Sequence, residues 1–134
     1  MATEVNYFIF WGLFVLLEVA ELTEGVSFLD FDPDDEADVR RIAVNYFLPP
    51  LKQASVKRQL EIQATIAFYA RSGDPPFQML RDRCQELTLS DPSSWRLFFL
   101  WVERALFGCA ADGRLSFQNV TECPNEESGF YAFG

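Results

Sequence analysis

The stretch DFDPDDEAD, residues 30–38, places six carboxylates within nine positions, immediately before an amphipathic run. Its Asp32-Pro33 pair has the composition of a helix start, since Asp is a favoured N-cap and Pro fits the first helical position. The acids that follow would lie in the first turn, where the helix macrodipole stabilises negative charge. The stretch therefore predicts a helix start, and it separates an apolar amino-terminal segment from the longer helical part of the chain.

Apolar residues recur at helical spacing on both sides of this stretch. The upstream segment is rich in Tyr, Phe, Ile and Trp and would also suit a strand, but its length favours a helix. Downstream, Pro49-Pro50 would end the second helix, because the residue before a proline avoids the α conformation. Three more helices would begin at Pro50, Asp74-Pro75 and Asp91-Pro92. The predicted helices lie at about residues 5–22, 32–48, 50–72, 74–87 and 93–107.

These segments predict an all-α fold, a compact bundle of about five helices. The first and fifth segments are apolar over most of their surface, so we expect them to pack against each other near the centre. With 134 residues the chain has the size of one domain. We assign residues 1–108 to the helical domain. We expect residues 109–134 to form a mostly irregular tail with a strand-like piece at 114–120, and we expect this tail to dock on the same domain through its aromatic residues.

Charge is distributed unevenly along the sequence, whose formal net charge is -9. Residues 1–39 hold ten acids and no base, residues 40–87 have an excess of four bases, and residues 88–134 have an excess of three acids. Such a field repels nucleic-acid phosphate and anionic lipid from the amino-terminal third, and it attracts cationic proteins. The distribution predicts a basic protein partner and no direct binding of nucleic acid.

The sequence lacks the residues that several kinds of catalysis require. There is no histidine, which removes imidazole as a metal ligand and as a catalytic acid or base. The three cysteines have no short CxxC spacing, so we expect a reducing compartment, with Cys84 an inert core residue. Neither standard glycine-rich phosphate cradle occurs. We therefore predict no catalytic residue, no cofactor and no enzyme activity.

The apolar run YFIFWGLFVLL, residues 7–17, is too short to cross a bilayer, which takes roughly 20 apolar residues. The residues before it, MATEVN, contain no Lys or Arg, whereas a signal peptide begins with a positively charged region. We expect this run to form part of the core of a cytoplasmic protein that does not associate with membranes.

The acidic stretch can be compared with a calcium-binding EF-hand loop. When Asp30, Asp32 and Asp34 are aligned with its first ligands, Asp35 occupies the position where the turn needs Gly. Arg41 then occupies the position of the bidentate Glu. The pattern fails, and we predict no metal site, although a looser Mg²⁺ or Ca²⁺ site on these carboxylates is an alternative.

The acidic stretch therefore has two interpretations, a solvated helix cap or a binding surface. Excess like charge destabilises a compact fold, which favours the binding surface. We expect a noncatalytic acidic binding protein that inhibits or neutralises a basic partner, a toxin or a nucleic-acid-binding protein, as an immunity or antitoxin-type inhibitor does. The alternative is a structural or assembly subunit that oligomerises through its apolar helices, so both a monomer and a homodimer are open. The residues assigned to partner binding are Asp30, Asp32, Asp34, Asp35, Glu36 and Asp38.

Overall fold

The computed structural model describes residues 3–108, 120–131 and 133. All five segments predicted to be helical contain helix. The helices are α1 (Ile9–Glu24), α2 (Glu36–Ile42), α3 (Leu48–Gln53), α4 (Val56–Tyr69), α5 (Phe77–Asp82), α6 (Trp95–Phe107) and α7 (Glu126–Phe130). Strands β1 (Thr3–Val5) and β2 (Val120–Glu122) pair in parallel. The described part of the chain is thus all-α with one small sheet, and the predicted fold class is confirmed.

Helix α1 lies at the centre of the fold. It ends at Gly25, whose φ of 68° is a left-handed conformation that glycine adopts without strain. Its ring contacts with α6 are close: the Phe99 ring centroid lies 4.5 Å from that of Phe10 and 5.9 Å from that of Phe14. The predicted packing of the first segment against the fifth is therefore observed. The buried residues of α1 are Ile9, Phe10, Gly12, Leu13, Phe14, Leu17 and Ala20.

The second helical segment starts later than the sequence predicts, and helical backbone continues past its predicted end. It begins at Glu36, after an extended Asp35, and Asp32 is not its N-cap. At the other end, residues 43–47 form a π-helical turn, and α3 follows directly with the prolines in its first turn. A proline fits there because the first turn of a helix needs no backbone N–H donor. The prediction that Pro49-Pro50 ends the helix is wrong for this reason.

The third predicted segment is divided by a break before α4. Ala54 is extended, and the Ser55 hydroxyl accepts a hydrogen bond from the Arg58 N–H as the N-cap of α4. Val56 and Leu60, in the amino-terminal part of α4, are 73% and 60% exposed. Only the carboxyl-terminal part of α4 contributes to the core.

The described part of the tail contains β2 and α7, where the sequence predicted mostly irregular chain. Residues 109–119, and with them most of the strand-like piece, lie outside the described residues. Asn125 caps α7 by accepting a hydrogen bond from the Ser128 N–H. The buried Asn6 holds this cap, because its Nδ2 donates to the Asn125 carbonyl at 2.9 Å and to Ser128 Oγ at 3.1 Å. The hydroxyl of Tyr69 donates to Glu122 at 2.6 Å and ties β2 to α4.

Candidate functional site

The acidic turn, as we call residues 30–38, follows a buried anchor. Phe28 is fully buried and packs against the rings of Phe31 and Tyr46. Its N–H donates to Thr88 Oγ1 at 2.8 Å. Pro33, inside the turn, is also buried. Apolar contacts and a hydrogen bond therefore hold the acidic turn against the body of the protein.

Some of the six carboxylates accept hydrogen bonds within the turn itself. Asp38 accepts from the Asp32 N–H at 2.8 Å and is ion-paired with Arg41. Asp32 accepts from the Asp34 N–H at 2.9 Å. The hydrogen bond from the Asp32 N–H and the adjacent Arg41 guanidinium hold the pKa of Asp38 below its ordinary value. Asp32 and Asp38 thus stabilise the backbone of the acidic turn.

Two more carboxylates of the acidic turn reach α6 and the residues before it. Asp34 accepts from both the N–H and the hydroxyl of Ser93, at 2.7 and 2.9 Å. Glu36 forms an ion pair with Arg104 at 3.5 Å, and both side chains are more than half exposed. Solvent screens such a pair, so it adds little stability. The acidic turn is therefore connected to α6 mainly through Asp34.

Asp30 and Asp35 differ from the other four carboxylates. Both are exposed, and within the described residues neither carboxylate accepts a hydrogen bond or pairs with a cation. Arg41 and Arg104 neutralise two of the six carboxylates of the turn. The acidic turn consequently keeps a net negative charge, and two of its carboxylates are available to a partner.

Exposed apolar side chains precede the acidic turn along the chain. Leu29, directly before Asp30, is 68% exposed, and Leu22, near the end of α1, is 67% exposed. The carboxylate of Glu24 is also exposed. Protein interfaces combine apolar contact with charged groups at the rim. The segment from Leu22 to Asp35 offers both.

A second surface region, which the sequence did not predict, lies where the first turns of α1 meet α7. It is an open cavity of about 440 Å³, and we call it the aromatic cavity. Its sequence signal is the run EESGFY at residues 126–131, which combines two acids with two aromatic residues. No local pattern relates that run to Trp11, so the cavity could not be inferred. The residues that line it are Trp11, Glu126, Glu127, Phe130 and Tyr131.

The thiols in the described residues are poor nucleophiles. Burial raises the pKa of Cys84 to about 12, and burial together with the nearby Glu4 carboxylate raises the pKa of Cys123. A raised pKa leaves little thiolate at neutral pH. In residues 3–108, 120–131 and 133, no group of three His, Cys, Asp or Glu side chains could hold a metal ion. No helix in the same part of the chain is long and apolar enough to cross a membrane.

Comparison of the chain with protein-family models, with curated proteins and with solved structures found no match. Function must therefore be inferred from the acidic turn and the aromatic cavity themselves.

Proposed function

We propose that this chain is a noncatalytic acidic binding protein whose acidic turn docks on a basic surface of a partner protein. The observation that supports this best is the pair Asp30 and Asp35, two exposed carboxylates without a partner in the described residues. They belong to a turn that other carboxylates hold in shape. A preorganised turn loses little conformational freedom on binding, so more of the interaction energy contributes to affinity.

The six predicted residues have different roles in this proposal. Asp30 and Asp35 pair directly with Arg or Lys of the partner. The other four shape the acidic turn and add to its negative potential. Two of these four reach a partner only by exchanging Arg41 or Arg104 for a cation of the partner.

Charge and apolar contact contribute to different steps of binding. Rim charges mainly raise the association rate, because they steer the two proteins together before contact. Affinity then depends on the apolar surface that contact removes from water. The exposed Leu22 and Leu29 are the side chains near the acidic turn that supply such surface.

The specific form of the proposal is an immunity or antitoxin-type inhibitor. Proteins that act on nucleic acids line their binding sites with Arg and Lys, which pair with phosphate oxygens. Carboxylates can occupy the positions of those phosphates. A basic nuclease-like toxin or another nucleic-acid-binding protein is therefore the class of partner that fits, and the reducing cytoplasm is the compartment that fits the thiols of Cys84 and Cys123.

The proposal can be tested by reversing charges of the acidic turn. The partner is first captured from a lysate of the source cells at low salt and then purified. We expect the Asp30→Lys/Asp35→Lys double variant to associate about tenfold more slowly, with a weaker salt dependence, because steering by several charges changes association rates on this order. Stopped-flow fluorescence gives the rate, and far-UV circular dichroism checks that the helices persist.

A matched control separates the acidic turn from net charge. Asp74 is an exposed acid outside the turn, with no partner in the described residues. Asp74→Lys and Asp35→Lys change the net charge equally, and we expect the slower association with Asp35→Lys. Equal rates for these two variants would contradict the role of the acidic turn. An unchanged rate for the double variant would contradict electrostatic docking altogether.

The alternative is an assembly subunit joined through its apolar helices. Helices α1 and α6 bury fewer than half of their large apolar side chains completely, but most of the others are half-buried against the core, and the exposed ones are Val19, Leu22 and Leu97. This burial favours the binding-protein proposal. Sedimentation equilibrium should show a monomer. An obligate dimer that Leu97→Glu dissociates would support the assembly subunit instead.

A further inference from the structure

The aromatic cavity combines ring faces with carboxylates. The ring centroids of Trp11 and Phe130 lie 4.8 Å apart, and Phe130 contacts Tyr131 edge to face at 4.8 Å. Tyr131 is 57% exposed, and Glu126 and Glu127 complete the lining. Aromatic faces carry partial negative charge, so rings and carboxylates attract the same ligand, a cation with a planar or apolar surface.

The protein already places one guanidinium against this wall. Arg83 Cζ lies 4.7 Å from the Trp11 ring centroid, and Arg83 Nη2 donates to Glu126 Oε1 at 2.9 Å. Stacking on a ring together with pairing to a carboxylate is how proteins recognise a guanidinium. Glu127 is exposed and has no such partner in the described residues. Arg58 lines the adjoining cavity together with Glu127 and Tyr131, but it is ion-paired with Glu61, so both nearby guanidinium groups have another carboxylate and Glu127 is left without an ion pair in the described residues.

We propose that the aromatic cavity binds an arginine side chain of a partner protein, with the guanidinium stacked on the exposed ring of Tyr131 and paired with Glu127. Arginine fits better than lysine, because a planar guanidinium can stack on a ring and donate to a carboxylate at the same time. The cavity volume of about 440 Å³ lies within the range of about 300–1,000 Å³ found for ligand pockets. The identity of the partner as a basic protein rests on the proposed function, whereas the chemistry of the cavity does not.

A peptide probe tests the cavity directly. The probe is acetyl-Gly-Gly-Arg-Gly-Gly-amide, and its control replaces the arginine with citrulline, which has the same shape without the charge. The indole N–H signal of Trp11, assigned with Trp95→Phe and Trp101→Phe variants, is followed by ¹⁵N NMR during titration. We expect a saturable shift with the arginine peptide and binding about tenfold weaker with the citrulline peptide, because citrulline loses both the cation–π contact and the ion pair with Glu127.

Two charge variants should act in opposite directions. Glu127→Gln removes the unpaired carboxylate and should lower the affinity for the arginine peptide about threefold, as expected for an exposed charge pair. Arg83→Gln removes the competing guanidinium and leaves Glu126 unpaired, so the peptide should bind more tightly. The acidic-turn variant Asp35→Lys should leave the titration unchanged.

Three results would overturn the proposal: no shift of the Trp11 signal, equal binding of the two peptides, or changes with the same sign in Glu127→Gln and Arg83→Gln. Each is distinct from failure of the proposed function, which is measured as the association rate of the whole partner. If the arginine peptide binds the cavity but substitution of Asp30 and Asp35 leaves the association rate of the whole partner unchanged, the present inference stands. The role of the acidic turn is then contradicted.

Discussion

The acidic turn and the aromatic cavity are assembled in opposite ways. In the acidic turn, hydrogen bonds from backbone N–H groups to carboxylates join residues two and six positions apart. Helix α7, which forms one wall of the aromatic cavity, is held by Asn6 through hydrogen bonds to residues 119 and 122 positions away. The internal hydrogen bonds of the acidic turn are local in sequence, although its contacts with Ser93 and Arg104 are not, whereas the aromatic cavity forms only when distant segments meet.

This difference shows that only some of the carboxylates in an acidic run are available to a partner. Closely spaced carboxylates accept hydrogen bonds from the N–H groups of their own turn, so part of the run stabilises local backbone. Asp32 and Asp38 do this, while Asp30 and Asp35 do not. The aromatic cavity contains fewer acids but adds rings from another helix. Acid density thus identifies the turn, and the tertiary structure decides which carboxylates a partner can reach.

The largest expected effect comes from removing the anchor of the acidic turn. Phe28→Ala should lower the free energy of unfolding by about 3–5 kcal/mol, the usual cost of deleting a fully buried phenyl ring. It should also speed hydrogen exchange at the Ser93 N–H, which binds Asp34. The Trp11 indole signal should keep its position. A change in the position of the Trp11 signal would show that the acidic turn and the aromatic cavity are coupled, which contradicts their separate assembly.

A smaller effect should come from a substitution in α7, which forms one wall of the aromatic cavity. Gly129 lies close to α1, and a methyl group there would be 2.5 Å from the carbonyl carbon of Phe8. Gly129→Ala must therefore shift α7, and we expect it to cost about 1–3 kcal/mol by urea unfolding. Binding of the arginine peptide should weaken, and Ser93 exchange should not change. Thr121→Ala, at an exposed position in β2, is the control and should change stability by less than about 0.5 kcal/mol.

The smallest effect concerns pH and sharpens the account of the acidic turn. The pKa of Asp38 is lowered in the folded protein, so its charged form contributes stability above its unfolded-state pKa, and this contribution is lost as pH falls through the folded pKa. Asp38→Asn should therefore be less stable than the unmodified protein at neutral pH, and the difference should begin to shrink below about pH 4 and be lost as pH falls through the lower pKa of the folded state. Urea unfolding from pH 2 to 7 measures it. A difference that persists at pH 2 would show that the charge of Asp38 is not its cause.

Helix positions followed from local signals and were predicted well. Helices α1 and α6 end at Glu24 and Phe107, within two residues of the predicted ends at 22 and 107, and a glycine C-cap follows each of them. The prediction failed where the backbone took an unusual course. A π-helical turn carries the chain into α3 through Pro49-Pro50, and no residue pattern in the sequence distinguishes this from a helix end.

The candidate site was predictable only in its local part. Asp38 and Arg41 are three positions apart, a spacing that pairs side chains on a helix. The contacts of Asp34 with Ser93 and of Glu36 with Arg104 depend on how α6 docks beside α2. Helical periodicity says which face is apolar but not which neighbour covers it, so these contacts could not be derived.

During translation, Asn6 leaves the ribosome exit tunnel long before Asn125 has been made, so its amide cannot form the hydrogen bonds that close the fold. The side of α1 at Gly12, which Gly129 approaches in the finished structure, stays uncovered during the same interval. Nascent chains with uncovered apolar segments aggregate or recruit chaperones. The amino-terminal helix of this protein therefore keeps part of its surface uncovered until the segment that forms α7 has left the tunnel.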